Sequence, residues 1–142
     1  MKIYFSCSIT GGRDDQHIYA RIVEYLQDAG HEVLTAHLAF PEVMDEEAVI
    51  DPIEVFQRDM AWVHESDVLI AEVTTPSHGV GYEIAEALNH GKPVFCCYFS
   101  GRKVSKILGG NTSPGYAIRA YRSFDDLKPE LDAFLSSVPK AK

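Results

Sequence analysis

Val68-Leu69-Ile70-Ala71-Glu72-Val73-Thr74-Thr75-Pro76-Ser77-His78-Gly79-Val80-Gly81-Tyr82-Glu83 opens as an apolar run, breaks at Thr-Thr-Pro-Ser and continues with helical spacing. A nearly continuous apolar strand has no polar face to give to water, so it belongs inside a parallel sheet covered on both sides. Outward in both directions the same unit repeats. Upstream, Ile3 to Ile9 reads as a first strand and Asp14 to Ala29 as a helix with Ile18, Ile22, Val23 and Leu26 on one face and Gly30 as its stop. Glu32 to Leu38 reads as a second strand, Ala39 to Pro52 as an acidic loop with a short helical turn, and Ile53 to Glu65 as a helix. Downstream, the helix after the third strand spans Gly79 to His90 and closes at Gly91; Val94 to Phe99 is a fourth strand. Ser100 to Gly115 is irregular, with one turn around Val104 to Leu108, before a fifth strand at Tyr116 to Ala120 and a last helix at Phe124 to Val138.

Alternating strands and helices of these lengths predict an α/β fold in one domain, residues 1–142. The expected architecture is a doubly wound, five-stranded parallel sheet of flavodoxin-like or Rossmann-like order 2-1-3-4-5. In such sheets ligands bind beyond the carboxyl ends of the strands, where the strand order reverses. That rule selects the loop after strand 1, the end of strand 2 and the loop after strand 3.

Apolar residues make up 46% and charged residues 24%, the balance of a folded domain rather than a disordered chain. The net charge is −8 with no Lys/Arg run longer than a pair, which argues against a nucleic-acid polymer or an anionic membrane as partner. Small anions held by local donors stay open. No stretch approaches the roughly 20 apolar residues of a membrane span, and the short run after Lys2 ends too soon for a signal peptide. Cys7, Cys96 and Cys97, odd in number and inside apolar runs, read as buried thiols, so a reducing, cytoplasmic setting is expected.

The chemistry-bearing residues gather at the selected loops. Ser8-Ile9-Thr10-Gly11-Gly12-Arg13 offers hydroxyls, glycine N–H groups and a guanidinium, either a tight turn or an anion cradle. It lacks the Gly-Lys-Ser/Thr of a P-loop and the third glycine of a dinucleotide fingerprint. Asp59 has Phe56 and Trp62 at i−3 and i+3, which turns it inward, either as the buried partner of Arg58 or Arg13 or as a proton carrier. Tyr4 on strand 1 and His37 at the end of strand 2 aim at the same crevice. Glu83 falls in the first turn of its helix, where free N–H groups and the dipole predict an ionised carboxylate, and Gly79 and Gly81 leave room beside it.

Ile3-Tyr4-Phe5-Ser6, Ser8-Ile9-Thr10-Gly11-Gly12-Arg13, His37, Gln57-Arg58-Asp59-Met60-Ala61-Trp62, Ala71-Glu72-Val73-Thr74 and Pro76-Ser77-His78-Gly79-Val80-Gly81-Tyr82-Glu83 together resemble the nucleoside 2-deoxyribosyltransferase superfamily, closest to its 2′-deoxynucleoside 5′-phosphate N-hydrolase branch. The resemblance runs from about Met1 to Leu108. It implies Glu83 as the nucleophile at C1′, Asp59 as the acid assisting proton transfer, Tyr4 as the group orienting the glutamate, and His37 near the bound nucleotide. Ser8, Ile9, Thr10, Gly11, Gly12, Arg13, Ser77, Gly79 and Ser105 match the phosphate-contacting set, with Ser105 reaching the neighbouring subunit's site in a homodimer. Thr10 stands where that branch often has an arginine.

The implied reaction is hydrolysis of the N-glycosidic bond of a nucleoside 5′-monophosphate through a glycosyl ester of Glu83. It calls for no cofactor and no metal, and the sequence shows no His/Cys/Asp cluster of convincing ligand spacing. Two alternatives share the fold. A transferase would exchange bases on unphosphorylated nucleosides, but Ser77 and Ser105 and the absence of a carboxyl-terminal Asn favour the monophosphate. A non-catalytic nucleotide-binding module would need Glu83 only as a favourable helix residue.

Overall fold

The computed structural model describes residues 1–9, 15–40 and 42–140. Five parallel strands, β1 (Lys2–Ser6), β2 (Glu32–Val33), β3 (Val68–Glu72), β4 (Val94–Phe99) and β5 (Tyr116–Tyr121), form one sheet in the order β2-β1-β3-β4-β5. This is the expected topology. Among the described residues, six α-helices accompany them: α1 (Gln16–Asp28), α2 (Val43–Ala48), α3 (Pro52–Glu65), α4 (His78–Asn89), α5 (Lys106–Gly109) and α6 (Phe124–Ser137).

Alternate side chains of a strand point to opposite faces, and both faces of this sheet are packed. One side buries Ile3, Phe5 and Ile70 against Ile22 and Leu26 of α1 and Leu127 and Leu131 of α6. The other buries Tyr4, Leu69 and Ala71 against Val63 of α3 and Val80, Ile84 and Ala87 of α4. All five residues of β3 are buried, which accounts for its unbroken apolar sequence. Gly30 and Gly91 end α1 and α4 with φ of +87° and +70°, a backbone geometry that only glycine adopts freely.

The second strand departs from its sequence pattern. Expected through Leu38, it keeps only Glu32 and Val33, and the chain then forms a one-turn 3-10 helix at Ala36–Ala39. Thr35 causes the change. Its Oγ1 accepts from the Phe5 N–H (2.9 Å) and donates to the Phe5 carbonyl (2.7 Å), so a side chain takes over what the next rungs of the ladder would supply. His37 therefore sits on this turn, not on a strand end. The first strand also stops earlier, at Ser6 rather than Ile9.

Thr35 is fully buried, so Thr35→Val leaves two Phe5 backbone groups unsatisfied. The expected loss is about 1–3 kcal/mol in urea unfolding; an unchanged midpoint would show that β1 and β2 hold together without the hydroxyl.

Candidate active site

Strand alternation places Tyr4 and Ser6 on the same face of β1, aimed toward α3 and α4 at the carboxyl edge of the sheet. Ser6 Oγ donates a short hydrogen bond to Glu83 Oε2. The Tyr4 hydroxyl is buried beside the same carboxylate and stabilises its ionised form, although it lies outside full hydrogen-bond geometry. Burial and the negative charges of Glu83 and Asp59 hold the Tyr4 phenol far above its ordinary pKa, so it remains neutral.

Ser77 caps α4, its Oγ accepting from Val80 N at 3.3 Å, and the helix begins at His78. Glu83 is consequently in the second turn, not the first as its spacing suggested, and the free N–H groups of the helix start do not govern its charge. Desolvation does. It raises the Glu83 pKa from 4.5 to about 7, while the bond from Ser6 and the nearby Tyr4 hydroxyl oppose the rise and the charge of Asp59 adds to it. The expectation of a carboxylate fully ionised at neutral pH is thus corrected.

Asp59 is buried on α3, as its aromatic neighbours predicted. Arg58 Nε donates to Asp59 Oδ1 at 2.8 Å, and Arg58 Nη2 lies 3.0 Å from Glu47 Oε1 of α2. Desolvation outweighs this pairing and raises the Asp59 pKa. Arg58 also lies over the Trp62 ring, 5.1 Å from its centroid, and His37 meets Trp62 edge-on at 5.5 Å. His37 Nε2 is 4.0 Å from Glu47 Oε1, and His37 is not part of the lining of the cleft between α3 and α4.

Between α3 and α4 opens a cleft of about 520 Å³ whose lining includes Ile9, Phe56, Asp59, Ser77, Gly79 and Glu83. Glu83 is half-buried, with its accessible part on this cleft. A Cβ on Gly79 would meet only Ser77 Oγ, at 3.8 Å, and would otherwise fill open space at the helix start. Phe56 and Tyr82, both more than half exposed, meet edge-on at the mouth. Ser8 is buried; Thr10, Gly11, Gly12 and Arg13 lie outside the described residues.

Ser105 does not join this cleft. It caps α5, accepting from Ile107 N at 3.2 Å, and lines a second cleft of about 470 Å³ that shares Ser77 and Val80 with the first. Ser6 and Glu47 are the contributors that sequence reading missed. The period of two from Tyr4 pointed to Ser6, whereas Glu47 arrives from a helix whose sequence reads only as an acidic loop.

A family model described as nucleoside 2-deoxyribosyltransferase matches residues 3–127. The chain belongs to the nucleoside 2-deoxyribosyltransferase family. Within it, a Methanococcoides burtonii protein provisionally named 2′-deoxynucleoside 5′-phosphate N-hydrolase 1 is 40% identical over 121 residues, 85% of this chain and 99% of that protein. The 5-hydroxymethyl-dUMP N-hydrolase of Tetraodon nigroviridis is 39% identical over 142 residues, 96% of this chain and 99% of its own length. The mouse protein of the same name is 46% identical over 112 residues, 76% and 64% of the two chains. The solved structure of Clostridium botulinum CMP N-glycosidase shares the fold with a TM-score of 0.68 at 18% identity, covering 93% of this family member and 99% of that chain.

In this deoxyribosyltransferase-family site the folded chain holds the Glu83 proton more tightly than the unfolded chain does. The stability associated with that proton is therefore present below about pH 4.5 and is lost as pH rises toward 7. Buried Glu72, also raised to about 7, acts in the same direction. Relative to wild type, Glu83→Gln should gain about 1–3 kcal/mol in unfolding free energy between about pH 5 and about pH 8. Equal differences at both pH values would contradict the raised pKa.

Proposed function

We propose that this protein hydrolyses the N-glycosidic bond of (2′-deoxy)nucleoside 5′-monophosphates, releasing free base and sugar 5-phosphate through a glycosyl ester of Glu83. The observation that carries the reading is the Glu83 carboxylate, held by Ser6 and Tyr4 on a cleft that it shares with Asp59. The names of the relatives support the reaction and its phosphorylated substrate.

Two carboxyl groups in one desolvated site resist losing both protons, so a singly protonated pair persists over a span of pH. The reaction uses the form of that pair in which Glu83, bonded by Ser6, is ionised and the proton sits on Asp59. Glu83 Oε attacks C1′ as the C1′–N bond breaks; the bond pair leaves with the base, which receives a proton from Asp59. Water then attacks C1′, returns a proton to Asp59 and frees Glu83, the order used by retaining glycosidases. Ser6 and Tyr4 hold the attacking carboxylate in place. Ser77 and Gly79 line the cleft at the start of α4, where the backbone N–H groups that the Ser77 cap does not take would receive a 5′-phosphate.

Ser105 in the second cleft fits a homodimer in which each subunit reaches its neighbour's phosphate site. No helix among the described residues is long and apolar enough to cross a membrane. The buried thiols of Cys7, Cys96 and Cys97 suit a reducing compartment such as the cytoplasm.

The deciding experiment is chromatography of the wild-type protein with dGMP, dCMP, GMP, CMP and deoxyguanosine, each with and without adenine. Free base from a monophosphate, unchanged by adenine, is expected. A new nucleoside formed only with adenine would establish the transferase, and an absence of cleavage would favour a binding module. Glu83→Ala should abolish release of base, and Asp59→Asn should slow it by about 10²–10⁴-fold. Wild-type turnover in Glu83→Ala would refute the covalent route.

Removing the 5′-phosphate from a cleaved nucleotide should reduce kcat more than it weakens binding, because remote contacts position the sugar at the nucleophile. Equal kcat values for nucleoside and nucleotide would remove the phosphate from the specificity.

A further inference from the structure

Away from the cleft, α3 and α4 meet again through three side chains. His64 stands at the carboxyl end of α3, and Glu86 and His90 stand one turn apart toward the end of α4. His64 Nε2 lies 2.7 Å from Glu86 Oε1, His90 Nδ1 lies 3.5 Å from the same oxygen, and one ligand atom from each residue falls within 4.8 Å of the other two. The two imidazoles overlap, centroids 4.1 Å apart and planes 31° apart. An ion pair holds His64 on Glu86, and a bond from Nδ1 to the Glu86 carbonyl at 2.9 Å holds the His90 ring beside the same carboxylate, so two imidazoles and one carboxylate converge.

We infer that His64, Glu86 and His90 form a binding site for a divalent transition-metal ion, with zinc the best match, which clamps α3 to α4. Two imidazole nitrogens and one carboxylate oxygen are a zinc-type donor set. Ligands about 2.0–2.2 Å from a tetrahedral ion lie roughly 3.3 Å from one another, a spacing that His64 Nε2 and Glu86 Oε1, 2.7 Å apart, reach with a small side-chain shift. His90 binds through its other ring nitrogen. With Nδ1–H donating to the Glu86 carbonyl at 2.9 Å, its Nε2 lone pair is free, and such a backbone bond is the orienting contact that metal-bound imidazoles make.

Both histidines are exposed, so water completes the coordination. Lys92, whose Nζ donates to the His64 carbonyl at 2.9 Å, places a positive charge nearby and weakens the attraction for a cation. The site is accordingly a micromolar one rather than a tight, closed zinc centre. Its position gives it a task without chemistry. His64 is five residues beyond Asp59 and Glu86 three beyond Glu83, about 5–8 Å along the two helix axes at 1.5 Å per residue. An ion here fixes the spacing of the two helices that carry the cleft's acids.

The test is calorimetric titration of the dialysed protein with Zn²⁺ in a non-coordinating buffer, with Co²⁺ absorption as a report on coordination. One Zn²⁺ per chain at micromolar affinity is expected, together with a raised melting temperature. His64→Ala and Glu86→Gln should each weaken binding by about tenfold or more. His17→Ala, an exposed imidazole on α1, should leave it unchanged. All three replaced residues are partly or fully exposed, and circular dichroism without metal checks the fold of each variant. Absence of Zn²⁺ binding below millimolar concentration, or wild-type affinity in the triple variant His64→Ala/Glu86→Gln/His90→Ala, would overturn the site.

Discussion

A carboxylate withdrawn from water and held by the hydroxyls of one strand is the constraint around which this molecule is arranged. Glu83 has its ordinary affinity for protons shifted upward by desolvation, and what keeps it usable as an anion is the bond from Ser6 and the neighbouring Tyr4 phenol. Both come from β1. The helix that delivers the glutamate follows β3, the next strand in the sheet, so the meeting depends on the parallel pairing of Tyr4 with Leu69 and of Ser6 with Ala71. A slip of one residue would turn Tyr4 and Ser6 to the opposite face and leave the acid without donors.

The turn between β3 and α4 is fastened from the other face of the sheet. Glu72 is fully buried and accepts from the backbone N–H of Thr74 and from its hydroxyl. Thr74 Oγ1 in turn accepts from Phe99 N at 2.9 Å, and Thr75 Oγ1 donates to Asp15 Oδ2 at 2.9 Å. These bonds connect the turn to β4 and to the start of α1. The helix that carries Glu83 therefore leaves the sheet from a fixed point. The face with α1 and α6 supplies this anchorage, while the face with α3 and α4 presents the acids.

Much of this was legible in the chain. Unbroken apolar strands separated by amphipathic helices required a parallel sheet, and the reversal of strand order directed attention to Asp59, Ser77, Gly79 and Glu83, which the structure brings to one cleft, and to Tyr4, which it buries beside Glu83. The failures have local causes. Thr35 looks like an ordinary strand residue, yet its hydroxyl ends the β1–β2 ladder and moves His37 onto a helical turn. The start of α4 is set by the Ser77 cap, one residue earlier than expected, so Glu83 lies beyond the first turn and burial rather than the helix N-terminus governs its charge. The Glu47–Arg58 pair and the meeting of His64 with Glu86 and His90 join residues of different helices, and neither has a sequence spacing that announces it.

The most direct measurement is a carbon-13 NMR titration of the Glu83 side-chain carboxyl in the free protein, assigned by comparison with Glu83→Gln and repeated in Ser6→Ala. Burial opposed by the Ser6 bond predicts a midpoint near pH 7 in the wild type and a higher one when the hydroxyl is removed. A midpoint near the ordinary value of 4.5 that does not move in Ser6→Ala would contradict both the desolvation of Glu83 and the part given to β1 in holding it.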